Sequence, residues 1–294
     1  MVANSAGDGA APAAAGAAPS VPGTTVTLGH PLLRLRGVGK SFGPVQALSG
    51  VDLDIPAGQV TALVGDNGAG KTTLVKCIAG IWQPSSGELL WNGQPVHLHS
   101  PKEAATLGIA TVYQDLALCD NLDIVQNMLL GREVTRLGLL DEVSMELTAK
   151  QTLKDLAVTT VRSIRQPVGS LSGGQRQAVA VAKAVMQEAK LVMLDEPTAA
   201  LGVSQTELVL NLITTLARRG HGVVVISHNL NDVFRVADRL AVLYLGRLVA
   251  AGPVSEFDTQ SVVDFMTTGA STRLGSDGGR EPAQAPSASS GSEG

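Results

Sequence analysis

The amino-acid sequence predicts an α/β fold, in which helices cover a mostly parallel sheet and an antiparallel β subdomain and a helical subdomain are attached. Short apolar runs, LVMLD at 191–195 and GVVVIS at 222–227, alternate with helical patterns, which is typical of a parallel sheet buried on both faces. Residues 32–55 alternate apolar and polar side chains in runs broken by glycines, which indicates antiparallel strands. Residues 116–160 lack this alternation, and SMELTAKQTLKDLAV has helical periodicity.

Local signals place further elements in the first half of the chain. The stretch ELLWNGQPV at 88–96 predicts a hairpin, because Asn92 and Gly93 tolerate the positive φ of a two-residue turn. A helix is predicted within HSPKEAATLG, where Ser100 is a suitable cap, Pro101 a suitable first residue and Gly108 a suitable exit. This β layer and helix therefore precede the predicted helical subdomain.

Two helices are predicted in the second half of the chain, one in AVAVAKAVM at 178–186 and one in TELVLNLITTLARRG at 206–220. The first has one apolar stripe with helical spacing, formed by Ala178, Val181, Ala182, Val185 and Met186. These helices are expected to pack on the two faces of the parallel sheet.

The ends of the chain differ in composition from its middle. Residues 1–30 and 271–294 are poor in large apolar side chains and rich in Gly, Ser, Ala and Pro, so we expect disordered tails. Asp8 stands where a signal peptide would carry positive charge. Residues 31–265 are then predicted to form one domain, with the helical subdomain at about 115–185.

Composition excludes several classes of function. The formal net charge is −4 and only 16% of the residues are charged, so no basic surface for nucleic acid is expected. Cys77 and Cys119 are isolated, which argues against a disulfide framework or a zinc site and favours reduced thiols in the cytosol. No apolar run approaches the ~18 to 20 residues that cross a bilayer.

A glycine-rich loop, GDNGAGKT at 65–72, matches the spacing of a phosphate-binding loop. Its bare backbone amides approach phosphate oxygens at Gly68 and Gly70, while Lys71 supplies a charge and Thr72 a hydroxyl for Mg²⁺. A chance match is the alternative, but the strand QVTALV precedes the loop and the helix TLVKCIAG follows it. The candidate nucleotide-binding residues here are Gly65, Asn67, Gly68, Ala69, Gly70, Lys71, Thr72 and Thr73.

Polar residues follow three of the predicted strands. Asp195 ends LVMLD and is expected beside Thr72, holding Mg²⁺ through water, while Glu196 could polarise the attacking water. His228 follows GVVVIS at a carboxyl strand end, where it could contact the γ-phosphate, and Gln114 follows IATVY and could face the metal. The alternatives are an acidic turn after a core strand and an ordinary histidine or glutamine.

A second helix start, LSGGQ at 171–175, also suits an anion. Ser172 offers a hydroxyl, Gly173 and Gly174 offer bare amides, and the helix that follows adds the positive end of its dipole. An ordinary Ser-Gly helix start is the alternative. If the first loop already binds one triphosphate, this second start either binds nothing or completes the pocket of another copy of the chain.

Five elements in this order, GDNGAGKTT, Gln114, LSGGQRQ, LVMLDEP and His228, resemble the ATP-binding subunit of an ABC transporter over residues 32–265. The resemblance implies a P-loop NTPase core and a head-to-tail homodimer that holds two ATP molecules, each between one copy's phosphate loop and the other's LSGGQ, including Gln175. It also implies that Phe42 stacks on adenine, that Glu196 is the catalytic carboxylate acting with Lys71, and that His228 is the switch histidine.

Three stretches, VYQDLALCDNLDIVQNMLLGRE, RQPVGSLSGGQRQ and DEPTAALGV, are similar to the simple-sugar uptake branch of that family, which imports sugars of the ribose, xylose or fructose type. This resemblance implies a membrane permease as partner, indirect action with an external sugar-binding protein, and a peripheral position on the cytoplasmic face of the membrane. Gly202 departs from the family's usual aspartate. A soluble ABC ATPase acting on ribosomes or DNA and an exporter motor are the alternative functions.

Overall fold

The structure is a computed structural model that describes residues 31–271. The predicted tails lie outside the described residues, apart from Ser271. The strands are β1 Leu33–Phe42, β2 Val45–Ile55, β3 Val60–Gly65, β4 Ser86–Trp91, β5 Gln94–Val96, β6 Ile109–Val112, β7 Thr135–Arg136, β8 Leu139–Leu140, β9 Leu191–Asp195, β10 Gly222–Ile226, β11 Arg239–Tyr244 and β12 Arg247–Pro253. The α-helices are α1 Lys71–Ile78, α2 Pro101–Leu107, α3 Ile124–Leu129, α4 Glu142–Asp155, α5 Gly173–Met186, α6 Val203–Arg218, α7 Leu230–Val236 and α8 Thr259–Thr268.

The central sheet has six strands in the order β12-β11-β3-β10-β9-β6. All neighbouring pairs from β11 to β6 are parallel, and β12 is antiparallel to β11. Every residue of β3 and β10 is buried, which explains why these strands are continuous apolar runs. Ile226 is in register with Leu63 and with Asp195, so the carboxyl ends of the central strands meet at one edge. The predicted parallel sheet is confirmed.

A second sheet is antiparallel, in the order β2-β1-β4-β5. Its β4–β5 hairpin turns at Asn92 and Gly93 with φ of 49° and 79°, as the sequence predicts. Helix α2 begins at Pro101, with Ser100 accepting a hydrogen bond from the Glu103 amide. The antiparallel subdomain is therefore present with its predicted connections.

The helical subdomain packs α3 and α4 against α5 in one apolar cluster. Helix α5 is buried along most of its length, well beyond the predicted stripe, while Val185 and Met186 are only partly buried. The sequence analysis missed the β7–β8 hairpin, because strands of two residues are too short to show an alternating pattern. The regular structure of this region is otherwise helical, as predicted.

The turn of the β7–β8 hairpin is unusual, because Leu137 occupies its first position with a φ of 53° and a side chain that is 98% exposed. A left-handed backbone disfavours a bulky side chain, and asparagine tolerates it. Replacing Leu137 with Asn is therefore expected to raise the free energy of unfolding by about 1 kcal/mol, as measured by urea denaturation. Leu139→Asn on the neighbouring strand is the control, and an equal gain in both variants would contradict this account.

The strands β11 and β12 and the helices α7 and α8 were not assigned from the sequence. Strand β11 pairs with β3, and its hairpin with β12 turns at Leu245 and Gly246 beside the phosphate loop. The sheet therefore extends on the side opposite to β9 and β6. Within residues 31–271, no helix has the length and apolar composition that crossing a bilayer requires.

Candidate functional site

The glycine-rich loop connects β3 to α1 at the carboxyl edge of the central sheet. Strand β3 ends at Gly65, and α1 begins at Lys71 after Gly70, whose φ is 105°. Gly68 has a φ of 80°, and a Cβ built there would have no heavy atom within 4 Å. The loop backbone is therefore open at Gly68, where a phosphate could approach the amides.

The glycines at the two ends of the loop have a different role. A Cβ at Gly65 would lie 2.4 Å from the carbonyl oxygen of Leu243, and one at Gly70 would lie 2.9 Å from that of Ala47. Gly70 thus lets the loop pack against the strand β2, whereas the sequence analysis attributed its lack of a side chain to phosphate approach. These close contacts set the position of the loop before any ligand binds.

The ammonium group of Lys71 folds back over this loop. Its Nζ donates hydrogen bonds to the carbonyl oxygens of Gly65 at 2.7 Å and Asp66 at 3.0 Å. Burial lowers the pKa of Lys71, and the nearby carboxylates of Glu196, Asp66 and Asp195 oppose that shift. A cation is therefore held at the mouth of the loop, next to the carboxylates at the end of β9.

An open cleft of about 400 Å³ lies over the loop. All the predicted loop residues except Gly65 line it, from Asn67 to Thr73. Further lining residues were missed by sequence analysis: Val45, Gln46, Ala47, Leu245 and Gly246. Only Gly246, which follows the apolar run of β11, is a local turn signal here; Leu245 is not, because its φ of 45° is disfavoured for a bulky side chain.

Phe42 lies at the end of β1, next to the cleft. Its hairpin partner is Val45, which lines the cleft, and 41% of Phe42 is exposed. Its ring packs edge-on against Trp82 with the centroids 4.8 Å apart, and Lys40 Nζ lies 5.0 Å from the ring centre. An aromatic face is thus fixed beside the cleft, although Phe42 is not among the residues that line it.

The carboxyl ends of β9 and β10 bring Glu196 and His228 together. His228 Nδ1 lies 2.8 Å from Glu196 Oε1, and Ser227 Oγ lies 3.5 Å from Glu196 Oε2. Glu196 has a φ of 49°, and its amide donates to the carbonyl of Ile226 at 2.9 Å. Glu196 is therefore a non-glycine residue in the left-handed region, and its carboxylate contacts His228. The two side chains therefore lie within hydrogen-bonding distance of each other, a contact that the sequence did not predict.

The loop after β9 is also fastened to the loop after β10 by a buried carboxylate. Asp232 is only 9% exposed, and its Oδ2 accepts hydrogen bonds from Thr198 Oγ1 at 2.8 Å and Asn229 Nδ2 at 3.0 Å. Asn229 in turn donates its amide to Ser227 Oγ at 3.1 Å. These hydrogen bonds connect the segments that carry Glu196 and His228 and thereby help to fix both residues.

The carboxylate of Asp195 lies in an unfavourable electrostatic setting. Burial raises the pKa of Asp195, the adjacent Glu196 raises it further, and Lys71 and Lys76 oppose the shift. A half-buried anion beside a second carboxylate is stabilised when a cation binds. Thr72, which is exposed, lines the cleft near this edge.

Replacing Asp195 with Asn is expected to raise the Tm of the ligand-free protein at pH 7. Because the pKa of Asp195 is raised in the folded state, ionisation of this carboxyl costs stability as pH rises above the unfolded pKa of about 3.9. The gain should shrink toward zero in acid, where the carboxyl is protonated in both states. Thermal unfolding between pH 4 and pH 8 measures this gain, with Asp115→Asn as the control, because Asp115 is exposed. A variant that melts below the wild type at pH 7 would contradict this expectation.

Gln114 lies two residues beyond β6 and its side chain is exposed. Val112 is in register with Leu194, and Tyr113 is close enough to Asp195 for that carboxylate to raise the pKa of Tyr113, although burial is the larger cause. The structure therefore places Gln114 one strand away from the carboxylates. Gln114 therefore follows a strand of the central sheet at its carboxyl edge, as the sequence predicts.

The LSGGQ stretch forms the start of α5. Ser172 and Gln175 make a reciprocal cap, and Gln175 Nε2 also donates to the Thr160 carbonyl at 2.6 Å. Both ends of the Gln175 amide are thus used within the chain. A Cβ at Gly173 or Gly174 would lie 2.7 Å from Leu201 or 3.0 Å from Gln205, so these glycines allow α5 to approach the start of α6.

None of the LSGGQ residues lines the cleft over the phosphate loop within the part of the chain that the structure describes. The two helix starts noted in the sequence therefore do not share this cleft. Gly202 precedes α6 without a side-chain cap, and a Cβ there would have no neighbour within 4 Å. The structure thus has room for the aspartate usual at this position.

A buried strand, a glycine-rich loop closed by a lysine-led helix and a carboxylate at the end of a parallel strand define a P-loop nucleoside triphosphatase. Residues 48–199 match the ABC transporter family. The fructose import ATP-binding protein FrcA of Rhizobium meliloti is 45% identical over 245 residues, which cover 81% of this chain and 94% of that protein. The chain belongs to the ABC transporter ATP-binding family and is an ATPase of that family.

Other relatives and structures agree with this assignment. The xylose/arabinose import ATP-binding protein XylG of Sulfolobus acidocaldarius is 45% identical, with coverage of 81% of this chain and 94% of that protein. The ribose import ATP-binding protein RbsA 2 of Rubrobacter xylanophilus is 43% identical, but this chain covers only 46% of it. The crystal structure of cbiO1 from Clostridium perfringens, part of the ABC transporter complex cbiONQ, has a TM-score of 0.69 and 26% identity, with coverage of 82% of this chain and 96% of that one.

Proposed function

We propose that this protein is the ATP-hydrolysing subunit of an importer for a simple sugar and that it works as a head-to-tail homodimer on a membrane permease. The observation that carries the proposal is the separation of LSGGQ from the cleft over the phosphate loop. One chain has two helix starts that suit an anion, and they lie at different places. In a head-to-tail dimer, the phosphate loop of each copy would face the LSGGQ of the other, which would form two ATP sites. The import functions named for FrcA, XylG and RbsA 2 support the sugar class.

In this proposal the cleft binds ATP, with the triphosphate on the amides around Gly68 and on Lys71. Adenine stacks on the exposed face of Phe42. Ser172, Gly173 and Gly174 of the second copy cover the γ-phosphate, and Gln175 acts by fixing the cap of α5. The positions of these residues at the cleft and at the start of α5 support the proposed roles.

The residues at the sheet edge suit Mg²⁺, because the half-buried Asp195 carboxylate lies beside a second carboxylate, Glu196, and the exposed Thr72 lines the cleft. Proteins bind this ion through one or two carboxylates together with substrate phosphates. We assign Thr72, Asp195 and Gln114 to hold it. When bound, Mg²⁺ would neutralise charge on the phosphates.

Glu196 is the candidate general base in this proposal. Its carboxylate, held by His228 and Ser227, polarises the attacking water, and His228 is placed to contact the γ-phosphate. Lys71 remains on the loop and stabilises charge on the leaving phosphates. Hydrolysis would then open the dimer.

A permease would dock on an apolar groove beside Gln114. The groove has a volume of about 230 Å³ and is lined by residues of α2, β6 and α5 together with Tyr113, Leu116 and Ala117. It therefore adjoins the segment that joins Gln114 to the helical subdomain. This docking would place the protein on the cytoplasmic face of the membrane, with an external sugar-binding protein acting through the permease.

Sugar uptake in a strain that lacks this chain tests the proposal. Labelled fructose, ribose, xylose and arabinose are supplied, and uptake of at least one is expected to fall and to return with the wild-type gene but not with Glu196→Gln. Growth on succinate is the control. Uptake of all four sugars at the wild-type rate would contradict a role in importing this class.

Affinity capture of the tagged protein from detergent-solubilised membranes separates the transport role from the alternatives. We expect a polytopic permease to be recovered. Recovery of ribosomes or DNA instead would favour a soluble ATPase, and a permease with efflux activity would favour an exporter motor.

A further inference from the structure

Residues 119–123, hereafter the connecting segment, join the Gln114 strand end to helix α3. Asn127 of α3 is completely buried, and its side chain fixes this segment. Its Oδ1 accepts the Cys119 amide at 2.7 Å, and its Nδ2 donates to the carbonyls of Cys119 at 2.9 Å, Leu122 at 3.2 Å and Asp123 at 3.0 Å. One side chain thus holds the segment to the helical subdomain.

The connecting segment is also bonded to the residues just before LSGGQ. The Val168 amide donates to the Leu122 carbonyl at 3.0 Å, and the Gly169 amide donates to the Asp120 carbonyl at 3.0 Å. A Cβ at Gly169 would lie 3.1 Å from that same Asp120 oxygen, so the two backbones are in close contact. The short turn at Val168–Ser170 then leads directly into Leu171 and Ser172.

An ion pair completes the connection on the other side of LSGGQ. Arg176, in the first turn of α5, places Nη2 2.6 Å from Asp120 Oδ1. The backbone amide of Arg176 donates to the Ser172 carbonyl at 2.9 Å, so Arg176 lies one helical turn after the serine of LSGGQ. The side chains of Arg176 and Asp120 are 30% and 64% exposed, and pairs this exposed add little to stability.

We infer that Asp120 and Arg176 are positioning residues for ATP hydrolysis. They hold LSGGQ, at the start of α5, to the connecting segment, so that these two parts of the chain move together. A permease that acts near Gln114 would then also move LSGGQ. The inference rests on the proposed head-to-tail dimer, because only there does the position of LSGGQ affect a nucleotide, namely the one bound by the other copy. Neither residue lines the cleft over the phosphate loop.

ATPase rates of the purified full-length protein, measured over a range of protein concentrations, test the inference. Arg176→Met and Asp120→Asn are each expected to raise the concentration for half-maximal rate per chain about fivefold or more. Binding of a fluorescent ATP analogue at low protein concentration should be unchanged. The double variant should be no worse than either single variant, because both remove one interaction. Arg176→Lys keeps the charge and should retain most of the wild-type behaviour.

Arg34→Met is the matched control, because Arg34 and Asp54 form an ion pair of the same length, 2.6 Å, on the antiparallel sheet. It should leave the concentration dependence unchanged. Wild-type behaviour of both Arg176→Met and Asp120→Asn would overturn the inference while leaving the dimer intact. A wild-type rate per chain that does not depend on concentration would instead overturn the dimer, and the inference with it.

Discussion

The purified protein with Glu196 replaced by Gln is expected to hydrolyse ATP about 100-fold or more slowly than the wild type, while still binding it. Glutamine has the shape of glutamate and can still accept a hydrogen bond from His228 Nδ1, which lies 2.8 Å from Oε1 in the wild type. It cannot accept a proton from water as a carboxylate does. In the proposed head-to-tail dimer, ATP should therefore be trapped between the two copies, and the trapped dimer should be visible by sedimentation.

The control for this variant is Glu207→Gln, which removes a carboxylate paired with Arg235 on the protein surface. Phosphate release with saturating ATP and Mg²⁺ gives the rate, and a fluorescent ATP analogue gives the affinity. We expect the control to retain the wild-type rate. An unchanged rate in Glu196→Gln would remove this residue from the role of general base.

The protein with Asn127 replaced by Ala is expected to lose on the order of 3 kcal/mol of stability. The change removes the partner of the Cys119 amide and of three carbonyl groups around a fully buried side chain. Buried backbone groups without partners are costly, since water cannot replace the lost hydrogen bonds. Urea denaturation measures the loss from the shift in the transition midpoint.

Asn211→Ala is the matched control, because Asn211 is exposed on α6. Its free energy of unfolding should change by no more than about 0.5 kcal/mol. An Asn127→Ala variant as stable as this control would show that the connecting segment finds other partners. The ATPase measurements on Arg176 variants do not depend on that result. The Arg176–Asp120 pair is partly exposed and adds little to stability, so its removal should not unfold the connecting segment.

Much of the site could be predicted because its residues follow buried strands. Gly65, Asp195 and His228 each stand at or just after the end of an apolar run, and parallel strands end at one edge of a sheet. The hairpin at Asn92 and the helix after Ser100 were equally accessible, since each depends on local backbone preferences. Local pattern and sheet geometry together were sufficient for these parts.

The rest depends on contacts between residues distant in the chain. Ala47 and Gly246 meet at the wall of the cleft because Gly246 has no side chain: a Cβ built there would lie 2.7 Å from the carbonyl oxygen of Ala47. No local sequence pattern reveals this contact. The pairing of Asp120 with Arg176 spans 56 positions and has no periodic signal. The internal hydrogen bonds of Gln175 likewise could not be predicted from LSGGQ alone.

If two copies pair head to tail as proposed, the separation of the cleft from the start of α5 has a genetic consequence. Consider a dimer in which one chain carries a substitution at Lys71 and the other a substitution at Ser172. Both substitutions would then affect the same ATP site. The second ATP site would have an intact phosphate loop and an intact LSGGQ. Two alleles that are each inactive alone would then partly complement one another, whereas two lesions within the same loop would not.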